Sequence, residues 1–101
     1  SCVVSIQVLP NNGQTSESFA TLLSKEMNGD TPKQTKNGKA YSFTAVSSGT
    51  PILVTTASAG GKSAVFVEVG DKEKYAKEAK LVRDSLHSDD PAEQELLDSL
   101  K

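Results

Sequence analysis

The fold is decided by the stretch TPILVTTASAGGKSAVFVEVGDKEKYAKEAKLVRDS, which occupies residues 50–85. Its first part contains two runs rich in β-branched residues, 50–57 and 62–69, that meet at Gly60-Gly61. Glycines between two such runs are typical of a β-hairpin, because tight hairpin turns need positive φ angles. The sequence therefore predicts two antiparallel strands that mark the core.

Two amphipathic segments are predicted to be helices that pack on these strands. Residues 16–28 follow a capping residue at Thr15 or Ser16 and end at Asn28-Gly29, which favours a left-handed stop. Residues 71–86 begin with Asp71 as the expected cap. The apolar positions recur at helical spacing and are Phe19, Leu22, Leu23 and Met27 in the first segment and Tyr75, Ala79, Val82 and Leu86 in the second.

The remaining segments complete an α+β pattern. Residues 3–9 and 39–46 alternate in polarity as strands do, and a polar loop at 30–38 has room for a short edge strand at 33–35. Strands joined by short turns pair antiparallel. The order β-α-β-β-β-α thus predicts an antiparallel β-sheet with two packed helices in a single domain, residues 1–88. Residues 89–101 hold five acids and one lysine and are predicted to be a short C-terminal helix or an acidic tail.

Composition and charge exclude several classes of function. The chain has 101 residues, 36% hydrophobic residues and a net charge of −2, whereas nucleic-acid-binding domains usually carry a basic stripe. No segment reaches the roughly 20 apolar residues that a membrane-spanning helix needs. We therefore expect a folded domain that binds no nucleic acid and does not span a membrane.

Cys2 is the only cysteine, so an internal disulfide is excluded. We expect it to be a small apolar residue of the first strand, and the alternative is a lipid-anchored cysteine of the full-length protein. The chain starts at Ser1 without a signal peptide. Either a leader has been removed or the chain is a piece of a longer protein.

Residues with catalytic or metal-binding potential all have a plain structural interpretation. His87 is the only histidine and lies among residues expected to cap helix ends, which are Asp84, Ser85, Ser88, Asp89 and Asp90. Asp89, Asp90 and Glu93 lack the glycine and the ligand alternation of a calcium loop. Residues 60–63 read Gly-Gly-Lys-Ser, but Thr56 stands where a phosphate loop requires glycine. No catalytic, cofactor-binding or metal-binding residue is predicted.

Three further groups could form a surface site. Glu68 is the one acid within a strand, on the exposed face or in a cleft wall. The cations of the second long segment are interleaved with acids, which is typical of a solvated face, with a docking surface as the alternative; they are Lys72, Lys74, Lys77, Lys80 and Arg83. Tyr41, Phe43 and Phe66 are expected in the core or as cross-strand pairs, and the alternative is a groove.

Several stretches together resemble a known family. They are VSIQVLP at 4–10, SESF at 16–19, NGKAYSF at 37–43, the long hairpin, and a helix that ends in DSL at 84–86. This pattern is similar to the DcrB-type envelope proteins, which share a fold with the PsbP subunit of photosystem II and a eukaryotic Ran-binding import factor. Members carry a β-hairpin ahead of the first strand, and this chain begins after that point. No functional motif of the family matches, so no site residue is carried over.

The sequence and the resemblance lead to one expected function and one alternative. We expect a non-enzymatic accessory or protein-binding module of the bacterial cell envelope, periplasmic or secreted, without a cofactor and as a monomer or weak dimer. Its binding surface would be an open sheet face or the hairpin edge at residues 50–69. The alternative is a secreted or cytosolic chaperone- or effector-like partner protein. Its dimer or client surface would be the sheet or the helix with Leu96, Leu97 and Leu100.

Overall fold

The computed structural model describes residues 3–70 and 72–101. It confirms the α+β class, with an antiparallel five-stranded sheet and three helices. The elements are β1 (Val3–Pro10), α1 (Ser16–Glu26), β2 (Lys33–Gln34), β3 (Tyr41–Ser47), β4 (Thr50–Ala59), β5 (Lys62–Val69), α2 (Lys72–Asp84) and α3 (Pro91–Ser99). The predictions for Cys2, for the Asp71 cap and for the Tyr75 side chain lie outside the described residues.

Both hairpin turns use the left-handed backbone region. Gly60 and Gly61 have φ angles of 58° and 78°, and Ala59 faces Lys62 across the turn. Ser48 and Gly49 do the same between β3 and β4, with φ angles of 51° and 79°. Two-residue turns with two positive φ angles match the twist of the flanking strands. The predicted hairpin at Gly60-Gly61 is thus confirmed.

The position of this hairpin in the sheet differs from the sequence prediction. The strand order is β1-β5-β4-β3-β2, so β4 and β5 lie in the interior and residues 50–69 form no edge. The prediction of a hairpin edge is wrong, because β1 pairs with β5 along its whole length and β3 pairs with β4. The two edges of the sheet are β1 and the two-residue strand β2.

Helices cover both faces of the sheet. On one face α1 packs Phe19 against a cluster that includes Phe43 and Val54. On the other face α3 packs against a cluster that includes Phe66. The α3 leucines Leu96, Leu97 and Leu100 are 3–5% exposed, so they face the sheet rather than a dimer partner or client. The central strand β4 therefore carries a helix on each of its faces.

The buried side of α1 differs by one position from the predicted stripe. Leu22 is 45% exposed, whereas Ala20 and Ser24 are buried beside Phe19. Small residues at these two positions let the helix approach the strands closely. The stripe predicted for α2 holds for Ala79, which is buried, but Val82 is 38% exposed. Leu86, at the end of the predicted stripe, packs partly buried against the cluster that includes Phe66.

The end of α1 is closed by a Schellman motif. Asn28 has a φ angle of 53°, its N–H donates to Lys25 O at 3.3 Å, and the N–H of Gly29 donates to Ser24 O at 2.7 Å. These two bonds satisfy carbonyls that the helix leaves without partners. The left-handed residue is Asn28 alone, as no positive φ angle occurs at Gly29.

Candidate functional site

The free edge of β1 is the first candidate site. The strand runs antiparallel to β5 from Val3↔Val69 to Pro10↔Lys62. On its other side the described part of the chain supplies no strand, because β1 is the end of the sheet. An unpaired edge presents a row of backbone donors and acceptors that another chain can pair with.

Alternation of the ladder shows which backbone groups face outward. The N–H of Asn11 donates to Gly61 O at 2.9 Å, which continues the β1–β5 register by one residue. Hydrogen-bonded and non-hydrogen-bonded pairs alternate in an antiparallel ladder, so the odd-numbered residues of β1 bond to β5. Pro10, which has no N–H, occupies an outward-facing position. The outward N–H and C=O groups therefore belong to Val4, Ile6 and Val8.

The side chains of β1 carry no charge. The strand reads VVSIQVLP, and Ile6 is 40% exposed although its neighbours Val4 and Val8 pack partly against the α3 face. Natural edge strands are usually protected by lysines, prolines, bulges or short length. Only the terminal Pro10 provides any such protection here.

The opposite edge of the sheet is protected. It ends in β2, which has two residues and includes Lys33. Asp30 also covers β3 on this side of the sheet. Its N–H donates to Thr44 O at 2.8 Å, and its Oδ2 accepts from Thr44 Oγ1 at 2.6 Å. The two edges of one sheet thus differ in charge and in cover, and β1 is the one suited to pairing.

Asn11 fixes the end of the β1 edge. Its side chain is 3% exposed, and Nδ2 donates to Ser63 Oγ at 2.8 Å and to Lys62 O at 3.0 Å. Its Oδ1 accepts from Gly13 N at 2.9 Å. Buried amides are tolerated when their hydrogen bonds are satisfied. Asn11 therefore joins the turn after β1 to β5 and holds the edge strand in register.

A cleft on the α3 face is the second candidate site. It has a volume of about 430 Å³, within the usual range for small-molecule pockets. Its wall includes Glu68, whose side chain is 12% exposed and lies 3.9 Å (Oε2 to Nη1) from Arg83. Of the two positions predicted for Glu68, the structure shows the cleft wall and not the exposed face.

Several polar groups of this cleft already have partners within the chain. Gln34 Nε2 donates to Gly38 O at 2.9 Å, and Thr35 Oγ1 contacts Asn37 Oδ1 at 2.8 Å. Lys101 Nζ donates to Asp98 Oδ1 at 2.8 Å and to Leu86 O at 3.2 Å. Arg83 Nε is buried without a hydrogen-bond partner among the described residues. The cleft thus combines paired polar groups with this Arg83 nitrogen, whereas the edge of β1 presents a continuous row of backbone donors and acceptors and is the stronger candidate.

The residues with catalytic potential lie apart from both candidate sites. His87 Nε2 lies 3.4 Å from Asp89 Oδ1 in an exposed pair, and Ser88 Oγ donates to Glu93 Oε2 at 3.2 Å. Within residues 3–70 and 72–101, no group of three His, Cys, Asp or Glu side chains is placed to hold a metal ion. In the Gly-Gly-Lys-Ser segment, Gly60 and Gly61 form the predicted hairpin turn, and Lys62 and Ser63 begin β5.

The three aromatic residues Tyr41, Phe43 and Phe66 do not line a common groove. Phe43 and Phe66 are buried in separate clusters on opposite faces of the sheet. Tyr41 Oη donates to Glu17 Oε2 at 3.1 Å, and this hydrogen bond raises the pKa of Tyr41 above its usual value. Of the α2 lysines, Lys77 and Lys80 are exposed, as expected for a solvated face.

The comparisons with known proteins add no assignment. No family model, no curated protein and no solved structure matches this chain. The resemblance to DcrB-type proteins therefore stays a prediction. None of the helices in the described part of the chain is long and apolar enough to cross a membrane.

Proposed function

We propose that this protein is a non-enzymatic binding module that recruits a protein partner by strand addition to β1. The single observation that supports this is the uncharged edge strand Val3–Pro10, whose outward backbone groups face no further strand in the described part of the chain. Strand addition takes its affinity from main-chain hydrogen bonds and its specificity from alternate side chains. The partner therefore contributes an extended, largely apolar segment.

The contacts of β1 within the chain hold this edge strand in a fixed conformation, which favours docking of a partner strand. β1 is held to β5 along its full length and by the buried Asn11 at one end. A preorganised strand loses little conformational entropy when a partner pairs with it. The side chains that such a partner would meet are Ile6 on the α3 face and Ser5 and Gln7 on the α1 face.

The cellular setting is part of the proposal. The pattern-level resemblance to DcrB-type proteins favours the bacterial cell envelope, in the periplasm or outside the cell. The lipid anchor at Cys2 remains the alternative role of that residue. Reading the codons upstream of Ser1 tests both points, since an envelope lipoprotein needs a leader that ends in a lipobox. Upstream codons that encode neither a leader nor a lipobox would contradict the envelope setting.

Site-directed photo-crosslinking tests the binding mode. A benzophenone amino acid is placed at Gln7, on the proposed edge, and at Val46, which is 68% exposed on β3 as a matched control. We expect a defined adduct from position 7 and none from position 46. Ile6→Pro removes one outward N–H and should abolish the adduct. Equal adducts from both positions, or an adduct that survives Ile6→Pro, would contradict strand addition.

A further inference from the structure

We infer that the segment which pairs with β1 is β1 of a second copy of this chain, with Ile6 at the twofold axis. This inference rests on the proposed strand addition and names its partner. Two sheets would join edge to edge into one continuous antiparallel sheet. The reasons are the symmetry of the strand sequence, the parity of its outward backbone groups and its lack of charge.

The sequence of β1 is symmetric in character about Ile6. Residues 4–8 read Val-Ser-Ile-Gln-Val. When Ile6 faces Ile6 of the copy in an antiparallel pair, Val4 faces Val8 and Ser5 faces Gln7. Apolar positions then meet apolar ones on the α3 face, and polar positions meet polar ones on the α1 face. Facing pairs of matched character are the unit of sheet stabilisation.

The backbone supports the same register. The outward N–H and C=O groups are those of the even-numbered residues Val4, Ile6 and Val8, so even positions must face even positions. With Ile6 on the axis, each of these N–H groups meets a carbonyl of the copy. A shift that brings Val4 opposite Pro10 would place Ser5 opposite Leu9, so a polar side chain would face an apolar one. Backbone parity allows both registers, and the side-chain pairing favours the one centred on Ile6.

Charge permits this contact and disfavours the other edge. β1 has no charged side chain, so two copies bring no like charges together. The β2 edge would place Lys33 near its own copy, which is unfavourable. Strand pairing alone buries less than the roughly 1,200–2,000 Å² of a stable interface. The dimer is accordingly weak and depends on concentration.

Sedimentation analysis over a range of concentrations tests the inference. The wild-type mass should rise from one chain toward two as concentration increases. Ile6→Lys places two ammonium groups face to face at the axis and should keep the protein monomeric. Val46→Lys adds the same charge to another exposed strand position and should leave association unchanged. A mixture of Ile6→Lys and Ile6→Glu should associate again through the opposite charges.

Cysteine crosslinking tests the register in a Cys2→Ser background. Ile6→Cys should form a disulfide-linked dimer by itself, because facing Cα atoms in a β ladder lie within disulfide reach. Ser5→Cys and Gln7→Cys should crosslink when mixed and much less when each is oxidised alone. Efficient crosslinking of Ser5→Cys alone, with none for Ile6→Cys, would overturn the Ile6-centred register.

A synthetic peptide separates failure of this inference from failure of strand addition. The acetylated peptide Val-Val-Ser-Ile-Gln-Val-Leu reproduces residues 3–9, and a second version carries N-methyl groups on alternate residues. A wild-type protein that stays monomeric at about 1 mM, near the weak limit of measurable affinity, overturns the dimer. If the first peptide then shifts the amide signals of Val4, Ile6 and Val8 and the methylated one does not, strand addition survives. If neither peptide binds, both proposals fail.

Discussion

Gly29 lies so close to Phe43 that a Cβ at position 29 would be 2.7 Å from Cδ2 of the ring. The same Cβ would be 2.9 Å from Thr44 O, a backbone atom of β3 that cannot turn aside. The chain therefore needs glycine here for space, while the adjacent Asn28 takes the left-handed conformation. This contact sets how closely the end of α1 approaches the sheet.

Gly29→Ala should destabilise the protein by about 1–3 kcal/mol, the usual effect of overpacking a close contact. Urea denaturation followed by circular dichroism measures the change. Asn28→Gly is the matched control, because glycine adopts positive φ without strain and should leave stability unchanged or slightly improved. A Gly29→Ala variant as stable as the wild type would show that α1 can move away from Phe43 without loss.

Proline substitutions along β1 should destabilise the protein less at even-numbered positions than at odd-numbered ones. Ile6→Pro removes an N–H that faces away from β5 and should be tolerated, as proline is at outward positions of edge strands. Gln7→Pro removes an N–H that bonds to the carbonyl of the buried residue Val65 and should cost about 1–3 kcal/mol, as expected for a buried acceptor left without its donor. Thermal melts of the two variants compare them directly. Equal losses would show that the outward and inward assignments of β1 are wrong.

Asn11→Ala should destabilise the fold by about 1–3 kcal/mol, since it leaves buried partners without hydrogen bonds. The lost contacts include Ser63 Oγ at 2.8 Å and Lys62 O at 3.0 Å. A double-mutant cycle with Ser63→Ala isolates the direct contact, and we expect a coupling of about 0.5–3 kcal/mol for residues in contact. Additive effects would contradict a direct Asn11–Ser63 bond.

Thr56→Val should be neutral or stabilising. Thr56 is 0% exposed, and its Oγ1 has no hydrogen-bond partner in the part of the chain that the structure describes. Replacing a buried, unpaired hydroxyl with a methyl group of similar size removes a desolvation cost of about 1–3 kcal/mol. Ser63→Ala is the control, because that hydroxyl is bonded to Asn11 and should lose stability. A strongly destabilised Thr56→Val would mean that the hydroxyl has a partner.

Asp84 and Asp98 should link stability to pH at the acid end. Lys80 Nζ bonds to Asp84 Oδ2 at 2.7 Å and lowers the pKa of Asp84, and the hydrogen bond from Lys101 lowers the pKa of Asp98. A folded-state pKa below the unfolded value gives stability that is present above the unfolded pKa and is lost as pH falls through the folded pKa. Both carboxyls are exposed, so the effect is small.

An NMR titration of the carboxyl carbons checks this assignment. In Lys80→Ala the pKa of Asp84 should rise toward its ordinary value, while the pKa of Asp98 stays in place. Lys77→Ala removes a nearby exposed cation as the control and should move neither value. An Asp84 pKa that is unchanged in Lys80→Ala would contradict the ion pair.

The sequence predicts the positions of the helices and strands more accurately than it predicts which strands pair. The Gly60-Gly61 turn and the Thr15 cap, whose Oγ1 accepts from Ser18 N at 3.0 Å, follow from local chemistry alone. Alternation along β1 correctly placed Val4 and Val8 on one face. It could not show that β1 pairs with β5 rather than β3, because alternation reports faces and not partners.

The candidate site was missed for the same reason. Its signal, an uncharged run at residues 3–10, is visible in the sequence, but an uncharged strand acquires meaning only when it is known to be an edge. The role of Asn11 is equally hidden from the sequence, since its bonds to Lys62 and Ser63 cross more than fifty positions of the chain. Leu22 was misplaced because helix rotation on the sheet depends on which small residues permit close approach.

The pairing of β1 with β5 also orders events during synthesis. β1 leaves the ribosome ahead of β5, yet Pro10 pairs with Lys62 and the partner of Val3 is Val69. Contacts between distant positions of a chain form slowly, and apolar segments that stay exposed until then are prone to aggregate. The glycine-turned β4–β5 hairpin can form locally and then offer β1 a template. A growing chain therefore carries this uncharged strand without its partner until β5 has been made, which gives holding chaperones a defined target during translation.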